Sequence, residues 1–171
     1  ENTLNDEGHA EIDIDLSPAS DKRSPYTVRA TLSLLESGGR PVIRNIERTL
    51  WPAPVLVGIR PLFVGDYARE GSMAQFEVVR SDAEARLHGA NALPVRLFRE
   101  NRDYYWRFDD QRGWNSGFAE SDELVGTFKV DIPAGARGKL GVPVKYGRYR
   151  VEITDPETRQ TLKYRFYAGW S

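Results

Sequence analysis

Apolar and polar residues alternate with a period of two along most of this chain. Ile12, Ile14 and Leu16 alternate with acidic residues, and residues 26–34 alternate in the same way ahead of a glycine-containing stretch at 37–41. A period of two is typical of a β-strand with one buried face, and glycine allows the chain to reverse. The first 51 residues therefore predict about three strands, at 10–16, 26–34 and 42–51.

The alternation stops at residues 51–54, where Pro52 and Pro54 lack the backbone donors that a sheet needs, and it restarts at Val57. We therefore predict two domains, residues 1–54 and residues 55–171. The second has about eight predicted strands, close to the spacing expected of a β-sandwich. These strands lie at residues 57–63, 74–78, 93–97, 103–108, 124–132, 140–144, 149–153 and 162–168.

Two stretches of the second domain lack this alternation. Residues 109–122 contain glycines and small polar residues without a consistent period, and they predict a long loop. Residues 82–88 predict a helical turn or two. By contrast, residues 155–158 contain an Asp-Pro pair typical of a tight turn between two strands. No longer window has helical periodicity, so the sequence predicts an all-β protein.

Composition narrows the classes of function. With 40% hydrophobic and 29% charged residues the chain has the composition of a soluble globular protein, and its net charge of -1 provides no field that attracts nucleic acid. No segment approaches the roughly 20 apolar residues that cross a bilayer. The first residues include no Met and no signal-peptide pattern, which predicts an internal piece of a longer protein or a mature chain after cleavage. The chain has no cysteine, which excludes disulfides and a thioester within these residues.

Candidate reactive groups are few and isolated. His9 and His88 each have a carboxylate nearby but no second histidine at ligand spacing, and Asp109 and Asp110 lack the ligand pattern of a calcium loop. Acidic residues are numerous, and none of their pairs stands out as a glycosidase pair. We therefore predict no catalytic, cofactor-binding or metal-binding residue and expect that the chain is not an enzyme. A hydrolase with an unrecognised carboxylate pair remains an alternative.

An aromatic cluster between residues 104 and 118 has two interpretations. If the rings are exposed on one face, they form a contact surface for a sugar or a protein partner, because aromatic residues dominate interface energetics. If they are buried, they cover a sheet face and hold the long loop, which is where large side chains of a small sandwich usually lie. We favour the buried interpretation. The candidate partner contacts of the exposed one are Tyr104, Tyr105, Trp106 and Trp114.

Six sequence strings, taken together, resemble the segment ahead of the bait region in bacterial alpha-2-macroglobulins. They are VGIRPLF at 57–63, FEVVR at 76–80, RDYYW at 102–106, YGRYRV at 146–151, TDPET at 154–158 and YRFYAGW at 164–170. The resemblance implies a macroglobulin-like antiparallel β-sandwich, similar to fibronectin and immunoglobulin domains, at residues 55–171. It also implies that residues 1–54 are the closing strands of a preceding module of the same kind.

The resemblance further implies a non-catalytic scaffold within a broad-spectrum, protease-trapping inhibitor. Proteins of this family are periplasmic or secreted, which leaves room for a membrane anchor elsewhere in the longer chain. The implied partners are neighbouring modules of that chain and, through the whole protein, target proteases; no cofactor and no nucleic acid are expected. An open sheet edge in residues 1–51 also predicts pairing either with the second domain or, by self-association, with another copy of the chain. The alternative function is a carbohydrate-binding or protein-binding module that uses exposed aromatic residues.

Overall fold

The computed structural model describes residues 3–16, 23–35, 38–65 and 67–170, and these residues form strands and connecting turns. These residues contain no helix, and so none long and apolar enough to cross a membrane. The all-β prediction is therefore confirmed. The chain divides into two compact units, Glu1–Pro52 and Ala53–Ser171.

The first unit contains a two-stranded antiparallel hairpin. Strand β1 (Tyr26–Leu35) pairs with β2 (Pro41–Leu50), and Tyr26 lies opposite Leu50. The two strands predicted here are confirmed, although part of the predicted turn at 37–41 lies outside the described residues. The strand predicted at 10–16 is wrong. These residues pair with no strand in the described part of the chain, and Ile12 and Ile14 are more than half exposed, because alternation alone does not form a strand without a hydrogen-bonding partner.

The second unit is a sandwich of two sheets. Its strands are β3 (Leu56–Pro61), β4 (Tyr67–Arg69), β5 (Met73–Ser81), β6 (Ala90–Asp109), β7 (Gly113–Ile132), β8 (Gly138–Pro143), β9 (Gly147–Thr154) and β10 (Thr161–Gly169). One sheet has the order β4-β10-β9-β6-β7, and the other has the order β3-β5-β8. All neighbours are antiparallel except β4 and β10, which run parallel.

The core of the sandwich consists of alternate residues from both sheets. Phe76 of β5 is fully buried, and its ring lies 5.2 Å from that of Phe166 on β10, so the aromatic contact joins the two sheets. Leu97 of β6 and Val151 of β9 lie opposite each other and are also fully buried. The apolar period of two places these side chains inward and leaves their neighbours on the outer faces.

Three expectations for the second unit need correction. The predicted strands at 93–97 and 103–108 are one continuous strand, β6, and the predicted loop at 109–122 is mostly the beginning of β7. The predicted helical turn at 82–88 is a non-helical turn, because the Asp82 carboxylate accepts hydrogen bonds from the backbone of Glu84 and Arg86. The short parallel strand β4 has no counterpart among the predicted strands.

Candidate functional site

The outer face of the five-stranded sheet carries a network of ion pairs centred on Arg150. The Arg150 guanidinium donates to Glu100, to Asp122 at 2.7 Å and to Glu152 at 3.0 Å. The hydrogen bond to Asp122 contributes most to raising the pKa of Arg150. Burial raises the pKa of Glu152, but Arg150 and the cations of Lys163 and Arg96 outweigh it and hold that pKa below its usual value. The network is thus a set of mutually paired cationic and acidic side chains.

A cavity of about 320 Å³ opens over this network and is lined by Glu100, Glu120 and Asp122 among others. All three carboxylates face an arginine, since Arg150 pairs with Glu100 and Asp122 and Arg102 pairs with Glu120. The cavity is therefore a set of ion pairs rather than two free carboxylates across a cleft, and it adds no support for a hydrolase.

The histidines and aspartates considered from sequence lie in or beside turns. His88 Nε2 is 2.9 Å from the Asp82 carboxylate, whose pKa is lowered chiefly by this hydrogen bond and further by Arg86. His9 is exposed, and Asp109 accepts a hydrogen bond from the backbone of Gln111 at 2.8 Å. In the described residues no group of three His, Cys, Asp or Glu side chains is placed to hold a metal ion.

A two-stranded arm extends from the five-stranded sheet. It consists of residues 101–109 of β6 and residues 113–121 of β7, and we call it the arm. Strand β9 pairs with β6 only as far as Glu100, so beyond that point β6 pairs with β7 alone. The Arg112 N–H donates to the Asp109 carbonyl at 3.2 Å, and Gly113 has a φ of +73°, which glycine adopts without strain. At about 3.4 Å per residue, the arm is about 30 Å long.

One face of the arm is aromatic. Tyr104, Trp106, Phe108, Trp114 and Phe118 lie on this face, which we call the aromatic face. Ring centroids are 5.6 Å apart for Tyr104 and Trp106, 5.3 Å for Tyr104 and Phe118, and 5.4 Å for Phe108 and Trp114. The five residues are between 51% and 68% exposed, so the rings contact one another but are not covered by the sandwich.

The opposite face of the arm is polar apart from one ring. Asp103, Arg107 and Asn115 lie on it, and Tyr105 packs across Gly117. A Cβ at Gly117 would lie 2.7 Å from the Tyr105 hydroxyl oxygen, so the absence of a side chain there makes room for the ring. The arm is therefore amphipathic across its thickness.

The structure separates the four partner-contact candidates from the sequence. Tyr104, Trp106 and Trp114 share the aromatic face, whereas Tyr105 lies on the other face. The buried interpretation that we favoured is wrong, because these rings lie on an arm beyond the sandwich and remain about half exposed or more. Phe108 and Phe118, which belong to the aromatic cluster at residues 104–118 noted from sequence, complete the face. Contact with a partner stays a prediction.

Both units match models of known protein families. Residues 1–52 match the bacterial alpha-2-macroglobulin MG5 domain, and residues 58–170 match bacterial macroglobulin domain 6. The chain is 44% identical to an alpha-2-macroglobulin of Xylella fastidiosa, strain 9a5c, over 99% of its own length and 10% of the relative. It is 40% identical to an alpha-2-macroglobulin of Escherichia coli K12, over 99% of its length and 11% of the relative.

Solved structures give the same result. The cryo-EM reconstruction of native Escherichia coli alpha-2-macroglobulin superposes with a TM-score of 0.75 at 38% identity, covering 99% of this chain and 12% of that one. Salmonella alpha-2-macroglobulin reacted with methylamine superposes with a TM-score of 0.70 at 38% identity, covering 89% of this chain and 11% of that one. The chain thus spans about a tenth of the length of the relatives that it matches, and it belongs to the bacterial alpha-2-macroglobulin family.

Proposed function

We propose that this chain is a pair of non-catalytic scaffold modules within a longer bacterial alpha-2-macroglobulin, the parent protein, which inhibits proteases by trapping them. The observation that carries the proposal is the match of 99% of the chain to alpha-2-macroglobulins about ten times its length. A segment of that size in such a protein contributes packing surfaces and transmits movement. Its own groups support this role, because the carboxylates of Glu100, Glu120 and Asp122, which line the cavity of about 320 Å³, are each paired with an arginine.

Relatives in different states support a scaffold that keeps its fold. The chain resembles native Escherichia coli alpha-2-macroglobulin with a TM-score of 0.75 and the trypsin-activated protein with a TM-score of 0.74. A further similar structure is that of the same protein activated by porcine elastase. We propose by analogy that the parent protein is also cleaved by proteases, and that these two modules respond as folded bodies. Its location would be the periplasm or the exterior of the cell.

The test is an inhibition assay on the full-length parent protein. Trypsin and elastase are incubated with it and assayed on a large protein substrate and on a small peptide substrate. Trapping predicts a loss of activity on the protein substrate and retention of activity on the peptide, because a trapped protease keeps its active site. Hydrogen exchange of β5, β9 and β10 before and after cleavage should be unchanged. Equal loss on both substrates, or no loss on either, would contradict the proposal.

The exposed aromatic face supports a second candidate function, a binding module. The rings meet at interplanar angles of 88°, 59° and 65°, so they do not present a coplanar row on which sugar rings stack. This geometry favours a protein partner over a carbohydrate. A panel of oligosaccharides tested by calorimetry should give no binding heat, whereas saturable binding abolished by Trp106→Ala would favour the carbohydrate alternative.

A further inference from the structure

The aromatic face of the arm is an apolar surface with nothing covering it in the described structure. Trp106 and Trp114 are 62% and 68% exposed, and the other three rings are between 51% and 57% exposed. Since each aromatic side chain offers about 150–250 Å² of contact area, the face presents on the order of 600 Å² to water. A contiguous patch of that size, on one face only of an otherwise polar ribbon, is typical of an interaction surface.

The chemistry of the face identifies the kind of partner. Its charged residues are Arg102 and Glu120, which pair with each other at 3.7 Å, while the Arg102 guanidinium also lies 4.0 Å from the centre of the Phe118 ring. The face therefore offers no unpaired cation to a phosphate or an acidic headgroup, and its mutually tilted rings are not arranged to stack on bases. A neutral aromatic surface fits an apolar face of folded polypeptide.

The size of the face decides between a second copy of the chain and a module of the same chain. A stable interface between separate proteins buries about 800 Å² on each partner, more than this face provides. A linked module needs less area, because the covalent connection holds it at a high effective concentration. The relatives of this chain are about ten times longer than it is, so modules of that kind are available in the proposed parent protein.

We infer that the aromatic face of the arm docks on an apolar surface of a neighbouring module of the parent protein. The inference rests on the proposed function, since it requires that the chain is part of a longer protein. The arm is about 30 Å long, the diameter of a small domain, so it spans the width of such a module. Because a two-stranded ribbon is marginally stable alone in water, docking also supplies the packing that the arm lacks.

Two adjacent positions on the arm allow a matched test in the full-length parent protein. Ser116 lies on the aromatic face opposite Trp106, whereas Asn115 lies on the polar face opposite Arg107, and both are exposed in the structure. The chain has no cysteine of its own, so Ser116→Cys and Asn115→Cys each place one thiol on the arm. The rate of maleimide labelling is measured by mass spectrometry of the arm peptide and divided by the rate of the same variant in denaturant.

Docking predicts that Ser116→Cys labels at least about 10-fold more slowly than Asn115→Cys in the folded protein, because an interface excludes water and reagent from its centre. Similar rates for the two variants would overturn the inference. Slow labelling of Ser116→Cys that becomes fast on dilution would also overturn it, since that result identifies a second copy as the partner. Hydroxyl-radical footprinting of the unmodified protein gives a check without substitutions, with Trp106 protected and Tyr105 reactive.

The labelling result is independent of protease inhibition. A full-length protein that traps proteases but labels equally at both positions would retain the proposed function and lose the docking surface. A full-length protein that protects Ser116→Cys but inhibits no protease would retain the docking surface and lose the proposed function.

Discussion

The ion pair between Arg80 and Asp155 gives the sharpest test of how the sandwich is held together. Arg80 lies on β5 of the three-stranded sheet, and Asp155 lies in the turn between β9 and β10 of the five-stranded sheet. Arg80 Nε donates to Asp155 Oδ2 at 2.7 Å, and the two side chains are 7% and 2% exposed. The pair therefore joins the two sheets in a position that water hardly reaches.

Replacing Arg80 with Met should lower the free energy of unfolding of the second unit by about 3 kcal/mol, the lower end of the range for breaking one side of a buried pair. The loss arises because the Asp155 carboxylate remains buried without its cation. The value stays at the lower end because the backbone N–H of Glu157 still donates to that carboxylate at 3.0 Å, and because the Met side chain replaces part of the arginine stem.

The assay is urea unfolding, with hydrogen exchange of peptides from β5 and β9 as the readout, so that only the second unit is observed. Arg60→Met is the matched control. Arg60 of β3 pairs with Glu77 across the same sheet, but its side chain is 62% exposed, and exposed ion pairs contribute little. In an Asp155→Asn background, Arg80→Met should cost less, with a coupling on the order of 2 kcal/mol. Equal losses for Arg80→Met and Arg60→Met would refute the reasoning.

Three further predictions test other parts of the structure. Trp106→Ala should cost less than about 1 kcal/mol in a urea titration because the ring is 62% exposed, whereas Phe76→Ala should cost about 3–5 kcal/mol because that ring is fully buried; similar losses would contradict the placement of both rings. The pKa of Asp82 is lowered from 3.8, chiefly by its hydrogen bond with His88, so its ionised form stabilises the folded state above about pH 4 and this contribution is lost as the pH falls further. The Tm of the unmodified protein should therefore fall more between about pH 6 and pH 3 than the Tm of Asp82→Asn, and parallel curves would contradict this sign. Finally, the open edge of residues 1–51 predicts self-association of the isolated chain; a monomer by light scattering whose residues 1–51 are sensitive to protease would count against it.

The parts of the fold that could be predicted from sequence are those in which alternation coincides with strong turn residues. The hairpin of β9 and β10 is an example, because the alternation of Tyr149, Val151 and Ile153 ends at a turn in which the Asp155 carboxylate accepts the Glu157 N–H. The family resemblance rested on six strings, three of them from this hairpin and its flanks, and it is confirmed.

The parts that could not be predicted lack a local signal. Strand β4 has three residues and pairs in parallel with the distant β10, so its existence depends on a partner about a hundred residues away. In the first half of β7, the face that carries Trp114 and Phe118 also carries Ser116 and Glu120, so its apolar period is interrupted and does not predict a strand. Residues 10–16 have a clear period but no partner strand in the described residues.

The exposure of the aromatic face could not be predicted from local sequence signals either. Tyr104, Trp106, Trp114 and Phe118 are among the residues that sequence patterns place in a core. They are exposed because β6 and β7 continue beyond the residues that pair with β9. Where this extension begins depends on the point at which β9, a strand distant in sequence, stops pairing with β6. Alternation within β6 separates Tyr105 from Tyr104 and Trp106, but only the register of the pair, set by the turn at Asp109 and Gly113, adds Trp114 and Phe118 to their face.

The central claim, that these modules are scaffold and not the inhibitory element, is tested most directly by mixing the isolated chain with several unrelated proteases. Residual activity is assayed on large and small substrates at a molar excess of the chain, after circular dichroism has verified that the chain is folded. We expect full protease activity on both substrates at every ratio, because the proposed trapping requires parts of the parent protein that lie outside these modules. Stoichiometric inhibition by the folded chain alone would contradict the account, since it would assign a direct protease-binding surface to these residues.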